Sequence, residues 1–165
     1  MSKKVMRRSP HAQLRAMKEL WPDFVGERKG SGLLVWGGPL KPKAKTYFVN
    51  VFWWPGHMSL PYVMLDEPKL QPRKGGSFEE IPHLLFYEEK PELSGLCLFD
   101  PEANEWTEAD LIAETTIRWT SEWITYYEFW HLTGTWLGPS VGLESVAQMR
   151  AAEAKAIREC LADVH

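Results

Sequence analysis

Cys97 is the side chain best suited to covalent chemistry. It lies in residues 95–101, Gly-Leu-Cys-Leu-Phe-Asp-Pro, and a thiol can take up an acyl group as a thioester. The leucine neighbours are also typical of a buried cysteine that acts as a small apolar residue, and composition alone favours that interpretation. However, Gly95 and Pro101 indicate an irregular backbone, and loops on a rigid scaffold often carry reactive groups. Cys97 is therefore predicted to be a candidate acyl carrier.

Three polar residues near Cys97 could support this chemistry. His83 could form a Cys/His dyad, although a histidine whose ring hydrogen-bonds the backbone and braces the loop is the favoured interpretation. Asn104 could stabilise an oxyanion, which is a large contribution to acyl transfer. Asp100 and Asn104 are also typical of turns, and the turn interpretation is favoured for both. The second cysteine, Cys160, falls on the apolar face of a predicted C-terminal helix and is expected in the core.

The sequence argues against several other classes of site. The net charge is −3, which gives no basic surface for nucleic acid. The two cysteines are not in a C-x-x-C pair, so they predict neither a disulfide framework nor a zinc site. No Gly-rich phosphate loop is present, so no cofactor is expected. The chain shows no signal peptide and no apolar run of the roughly 20 residues that cross a membrane. A cytoplasmic protein without a membrane partner is predicted.

The elements that must position Cys97 begin with a helix and a run of strands. The length of 165 residues predicts one domain over 1–165, and residues 1–8 are predicted to be a flexible basic tail. Ser9 as cap and Pro10 as first residue predict a helix that ends near Leu20. Four short apolar runs follow with no helix between them, which predicts an antiparallel meander. These predicted strands span residues 24–29, 33–36, 47–54 and 62–65.

The second half of the chain is predicted to be irregular and then helical. Prolines and glycines interrupt residues 68–105, which contain Cys97. Thr107 and Asp110 resemble a capping box and predict a helix over 107–133, whose N-terminus could favour a thiolate if it points at Cys97. A last helix is predicted over 143–161. Helices at both ends of an antiparallel meander indicate an α+β fold.

The tryptophans divide into two groups. Trp119, Trp123 and Trp130 repeat at helical spacing on one face of the predicted helix, which is typical of core residues. Trp53 and Trp54 are adjacent on a predicted strand, where consecutive side chains point to opposite faces. One of these two is therefore predicted to be exposed and available to a partner.

In this order, the elements and motifs resemble the ubiquitin-conjugating enzymes. More closely, the chain is similar to the short, stand-alone conjugating-enzyme-like proteins of bacterial cyclic-oligonucleotide antiphage (CBASS) operons. The resemblance spans about residues 47–138. It is carried by Leu60-Pro61-Tyr62, Ile81-Pro82-His83-Leu84, Gly95-Leu96-Cys97-Leu98-Phe99-Asp100, Asn104-Glu105-Trp106, Trp119-Thr120-Ser121-Glu122-Trp123, Tyr127-Glu128 and Gly134-Thr135-Trp136.

The resemblance implies a ubiquitin-conjugating (UBC-like) fold with Cys97 at the thioester-forming position. Trp106 falls where the family often keeps a Trp in the loop after the cysteine. One departure concerns the usual His-Pro-Asn tripeptide, which is absent because Pro82 precedes His83 and a leucine follows it. The family's oxyanion-stabilising Asn therefore has no counterpart there, and Asn104 is the candidate replacement.

The activity implied by the resemblance is acyl transfer. The C-terminal carboxylate of a partner protein, expected to be the cyclic-nucleotide synthase of the same operon, would be joined to Cys97 and passed to an amine, with activation supplied elsewhere. Two alternatives remain open. One is an inactive UBC-fold module that only docks the synthase. The other is a cysteine hydrolase that uses Cys97 and His83 to remove a modification.

Overall fold

The fold combines two long helices with a four-stranded sheet and a smaller strand pair. The computed structural model describes residues 6–58, 60–99, 103–139, and the single residues 155, 157 and 159. The elements are α1 (Pro10–Leu20), β1 (Val25–Arg28), β2 (Leu34–Leu40), β3 (Tyr47–Trp53), β4 (Tyr62–Glu67), β5 (Leu84–Leu85), β6 (Gly95–Leu96) and α2 (Thr116–Thr133). The predicted α+β fold class is confirmed.

Little of the predicted C-terminal helix can be compared with the structure. Residues 155, 157 and 159 are helical, and Ile157 is fully buried, as expected for an apolar face. The rest of residues 143–161, including Cys160, lies outside the described residues.

Helix α1 begins where the sequence predicts. The Ser9 hydroxyl accepts a hydrogen bond from the backbone N–H of Ala12 at 3.1 Å, which satisfies one of the helix's unpaired amides. Pro10 fills the first position. Gln13 and Met17 are each 1% exposed, so the helix buries one side. The predicted helix is confirmed.

The main sheet is an antiparallel meander in the order β1-β2-β3-β4, as predicted. The prediction that β2 ends at Trp36 is wrong, because the strand continues to Leu40. Gly37 pairs with β1 and β3. A Cβ on Gly38 would lie 2.5 Å from the Phe24 ring, so glycine here lets another side chain approach the backbone closely.

The region predicted to be irregular contains a short strand pair. In β5 and β6, Leu84 lies opposite Leu96 and Leu85 lies opposite Gly95. Two 3₁₀ turns, Phe78–Glu80 and Pro91–Leu93, also lie here. Strands of two residues carry too little periodicity to be recognised in a sequence.

The prediction that the long helix begins near Thr107 is wrong, since α2 begins at Thr116. The capping-box contact itself exists, because the N–H of Thr107 donates to Asp110 Oδ2 at 2.7 Å. The Gln13 side chain on α1 instead forms hydrogen bonds with backbone groups of this segment, which would pair with each other in a helix. Gln13 donates to the Asp110 carbonyl at 2.9 Å and accepts from the Ile112 N–H at 3.0 Å.

Residues just before and just after α1 also bond to the segment that precedes α2. Trp21 Nε1 donates to the Ala113 carbonyl at 2.7 Å. In the part of the predicted tail that the structure describes, Arg8 Nε donates to the Ala109 carbonyl at 2.9 Å and Arg7 forms an ion pair with Glu108. The N-terminal region thus holds residues 108–113, which connect the Cys97 region to α2.

We expect Gln13→Ala to cost about 2–3 kcal/mol of the free energy of unfolding. The substitution leaves a part-buried carbonyl and a buried N–H without their partner, and each such loss costs about 1–3 kcal/mol, with the lower values expected where water reaches the group. Urea unfolding would measure the change. Lys18→Ala, at an exposed position of the same helix, is the control and should stay within about 0.5 kcal/mol. Equal losses in the two variants would contradict the role of Gln13.

Candidate active site

Cys97 is placed by the strand pair that precedes it. It follows β6 directly, and its N–H donates to the carbonyl of His83 at 2.9 Å, which continues the β5–β6 pairing by one residue. Gly95 lies against the fully buried ring of Tyr62 on β4, since a Cβ there would be 2.5 Å from two ring carbons. Cys97 is half-buried, with Sγ 4.0 Å from the Phe99 carbonyl. Its backbone is therefore fixed while its thiol keeps partial access to solvent.

His83 holds the site mainly through its backbone. Its carbonyl accepts a second hydrogen bond from Trp123 Nε1 at 3.0 Å, so one oxygen ties the Cys97 backbone to α2. The residue has φ +52°, a left-handed conformation that histidine adopts more readily than most residues. Its ring stacks on Trp136 with centroids 5.2 Å apart. The favoured interpretation, a ring that hydrogen-bonds the backbone, is not found among the described residues; His83 instead braces the site through its backbone carbonyl and through ring stacking.

Aromatic rings form both walls of the cleft at Cys97, which has a volume of about 390 Å³. On one side, Phe99 packs edge-on against Trp119 with ring centroids 5.0 Å apart. On the other, Trp136 lies 5.7 Å from Tyr126 and 5.6 Å from Trp123 between centroids. The Nε1 of Trp136 is buried and has no hydrogen-bond partner among the described residues. The cleft is a slot between two aromatic walls.

The other predicted site residues lie in different places. Asn104 is exposed with φ +51°, which fits the turn interpretation, and it is not among the residues that line the cleft. Asp100 lies outside the described residues. Trp106 is 4% exposed and packs edge-on against Trp53 at 5.0 Å between centroids. The helix N-terminus predicted near Thr107 does not exist there, so its dipole cannot act on Cys97.

The tryptophan predictions are partly confirmed. Trp123 and Trp130 are buried, whereas Trp119 is half-buried and lines the cleft. The prediction that Trp53 or Trp54 is exposed is wrong. Trp53 is 2% exposed, and Trp54 is half-buried because its ring packs on His57 and its Nε1 donates to the Ser31 carbonyl at 3.1 Å.

The charges at the cleft are negative. Glu105 and Glu122 line it together with His83, and no Lys or Arg is among its described lining residues. Burial lowers the pKa of His83 below its ordinary value of 6.5, because a charged imidazole loses hydration there. At neutral pH His83 is therefore neutral, and the charged groups among the described lining residues are carboxylates.

The lowered pKa of His83 predicts a pH-dependent stability. The unfolded chain takes up a proton as the pH falls through about 6.5, whereas the folded chain takes it up only at lower pH. Native stability is therefore lost as the pH falls from 6.5 through the pKa of the folded state. His83→Asn, which tolerates the positive φ, should show a smaller loss between neutral and acidic pH in urea unfolding. The same loss in both proteins would refute this assignment.

The comparison with known families identifies the chain. A family described as Type II CBASS E2 protein matches residues 13–143. The chain belongs to this family. No curated protein matches it. The match covers most of α1, the complete meander, the Cys97 cleft and α2, so the E2 assignment applies to the elements that form the site.

As a CBASS E2 protein, the chain has an E2-like role in that system. No group of three His, Cys, Asp or Glu side chains that could hold a metal occurs within the described residues. No helix of the described part is long and apolar enough to cross a membrane.

Sequence reasoning did not assign Glu122, Tyr126 and Trp136 to the site. Glu122 and Tyr126 could have been noticed, because they share one helical face with Trp119 and Trp123 at spacings of three and four. Trp136 gave no such signal, since its position depends on how the chain turns back after α2. Gly134 makes that turn, with φ +81° and its N–H donating to the Trp130 carbonyl at 2.7 Å.

Proposed function

We propose that this CBASS E2 protein is a ubiquitin-conjugating-like acyl carrier. Cys97 takes the C-terminal carboxyl group of a partner protein as a thioester and passes it to an amine. The partner is the cyclic-nucleotide synthase of the same operon, and the transfer regulates antiphage defence. The observation that carries the proposal is the half-buried thiol of Cys97, held by its backbone at an aromatic cleft within a chain of E2 type.

The fold supports the same function. The order of helix, four-stranded antiparallel meander, cysteine-bearing segment and helix is that expected of the ubiquitin-conjugating fold, which we assign to the chain as a single domain over 1–165. In this arrangement the sheet and α2 fix the backbone of Cys97, while its side chain stays only half-buried. Fixed geometry of this kind reduces the entropy lost when two reactants meet.

The proposed reaction has two steps. First, the Cys97 thiolate attacks the carbonyl carbon of an activated C-terminus, the bond to the activating group breaks, and a thioester forms. The activating group comes from another protein. Second, an amine attacks the thioester carbonyl, the C–S bond breaks, and an amide forms. The amine loses a proton and Cys97 returns to the thiol, so atoms and charges balance.

The geometry at His83 disfavours the hydrolase alternative. A cysteine hydrolase needs a basic histidine that a third group orients. The His83 ring is stacked on Trp136, its pKa is lowered by burial, and no hydrogen bond to its ring is found within the described part of the chain. A stacked ring of lowered basicity without an orienting partner is a poor general base.

One of the two sequence features that favoured the binding-module alternative is not present in the structure. It drew on an exposed tryptophan at Trp53 or Trp54, and neither is exposed. The absence of His-Pro-Asn still favours it. A docking module that does no chemistry would bind its partner equally well without Cys97, which separates the two functions.

Charging by a synthetic thioester tests the proposed carrier directly. The probe is a short peptide that ends in glycine as its mercaptoethanesulfonate thioester, which replaces the unidentified activating protein. We expect intact mass to show one peptide acyl group on the wild type, removable by thiol reductant. Cys97→Ala should show none, whereas Cys160→Ala should charge like the wild type. No adduct on the wild type, or an adduct that persists in Cys97→Ala, would contradict the proposal.

A further inference from the structure

Glu122 stands between the two aromatic walls of the Cys97 cleft. On α2, residues 119, 122, 123 and 126 lie three or four apart and so share one face of the helix. Trp119 belongs to the wall with Phe99, and Tyr126 belongs to the wall with Trp136. Glu122 lines the cleft and is exposed. Its carboxylate therefore lies at the mouth of the slot, on the same cleft as Cys97.

Glu122 also borders a second hollow. A groove of about 490 Å³ between α1 and α2 is lined by Leu20, Trp21 and the outer face of α2, and Glu122 is the residue it shares with the Cys97 cleft. The side chain thus stands where the slot opens onto the exposed face of α2. A molecule that reaches Cys97 from this face passes Glu122.

Among the described residues, no cation pairs with this carboxylate. Glu122 forms no ion pair or hydrogen bond within the described part of the chain, and neither does Arg118, one turn before it. The other ionisable groups facing it are Cys97, Glu105, His83 and Tyr126 in the cleft, and Glu114 and Arg118 in the groove. Because His83 is neutral and Cys97 is uncharged once acylated, the Glu122 carboxylate keeps a negative charge at the mouth of the loaded cleft.

We propose that Glu122 is the acceptor-recognition residue of the site, which binds the incoming primary amine beside the Cys97 thioester. This inference rests on the proposed acyl-carrier function. The aromatic walls pack on the alkyl chain that carries the amine and attract its positive charge. The carboxylate attracts the ammonium, which loses one proton to solvent before it reacts, and then stabilises the positive charge that develops on the amine nitrogen as it attacks the carbonyl carbon.

The same residue does not contribute to loading. When the peptide thioester charges Cys97, the nucleophile is a thiolate and no cation is involved, so the Glu122 carboxylate offers no attraction. Because the carboxylate also repels the thiolate and the sulfonate of the probe, substituting Glu122 is expected to leave loading at least as fast as in the wild type and to slow discharge to a cationic amine. A purely structural role would impair loading and discharge alike.

Discharge of the loaded protein to two nucleophiles tests the inference. The protein is charged with the peptide thioester, excess reagent is removed, and the loss of acyl mass is followed with free lysine or with hydroxylamine. Hydroxylamine is uncharged near neutral pH and has no alkyl chain. We expect Glu122→Gln to discharge to lysine at least about tenfold more slowly, which corresponds to about 1.4 kcal/mol of transition-state stabilisation, and to hydroxylamine at the wild-type rate.

Control variants and added salt test whether the effect comes from the charge of Glu122. Glu114→Gln removes an exposed carboxylate outside the cleft and should match the wild type, while Glu122→Asp should recover part of the lysine rate. Added salt should slow the wild type with lysine, because it screens exposed charges, and should affect Glu122→Gln less. Equal slowing with both nucleophiles, or no slowing with lysine, would overturn the role of Glu122. Failure of the wild type to load would overturn the proposed function itself.

Discussion

Cys97→Ala is expected to abolish acyl transfer while the protein remains folded. Alanine has no nucleophile, and a covalent intermediate cannot form without one, so the rate should fall at least about a thousandfold. The side chain is half-buried, and losing one sulfur atom there should change the free energy of unfolding by no more than about 1 kcal/mol. Cells that carry the operon with this variant should lose phage protection, measured as plaque counts against an empty vector.

The control for this experiment is the amount and stability of the protein. Equal abundance in the cell and an unchanged unfolding midpoint would assign the loss of protection to the missing thiol. Binding to the synthase should persist in Cys97→Ala, since the rest of the surface is unaltered. Full protection by a stable Cys97→Ala protein would contradict the acyl-carrier function and favour the docking module.

Gly95→Ala is expected to be the most destabilising small change near the site. A Cβ at this position would lie 2.5 Å from Cε2 and Cζ of Tyr62 and 2.7 Å from its hydroxyl oxygen. The Tyr62 ring is fully buried and cannot move without disturbing the core. Overpacking of this kind costs about 1–3 kcal/mol, and we expect the upper end. Thermal or urea unfolding would measure the loss.

Gly30→Ala supplies the matched control for Gly95→Ala. The same Cβ at Gly30 meets no atom within 4 Å, so its effect should stay within about 0.5 kcal/mol. Because β6 leads directly into Cys97, the Gly95 variant should also load the peptide thioester less well, whereas the Gly30 variant should load normally. If Gly95→Ala is as stable as Gly30→Ala, the close packing of β6 on Tyr62 is refuted.

The parts of the fold that depend on local signals could be predicted from the sequence. The cap at Ser9 and the proline after it set the start of α1, and the apolar runs set the four strands of the meander. Gly134 ends α2 because it adopts a left-handed conformation that glycine provides at little cost. Each of these features is decided by a few neighbouring residues.

The features of the fold that the sequence predicts incorrectly depend on contacts between residues far apart in the chain. The capping contact of Thr107 and Asp110 forms, yet no helix follows, because Gln13 and Trp21 bond to the backbone there across more than ninety residues. The end of β2 was misplaced because glycines usually interrupt strands, whereas Gly38 here admits Phe24 against the sheet. Tertiary hydrogen bonds and packing override local preference at these positions.

The candidate site likewise contains residues that could be predicted from the sequence and residues that could not. Cys97 was predicted from its residue type and its place in the loop, and His83 was predicted as its neighbour with a bracing role. The pairing of β5 with β6 brings them together through the hydrogen bond between the Cys97 N–H and the His83 carbonyl. The walls of the cleft could not be predicted, because Phe99 and Trp136 meet α2 only in the folded chain.

The most direct measurement is the intact mass of the protein purified together with its operon's cyclic-nucleotide synthase, without reductant and with Cys97→Ser in parallel. We expect a wild-type adduct with the mass of the two chains less one water, removed by thiol reductant, and in Cys97→Ser an ester of the same composition that resists reductant. A stable complex of the two proteins without any adduct in either sample would contradict the claim that Cys97 carries the synthase as a thioester.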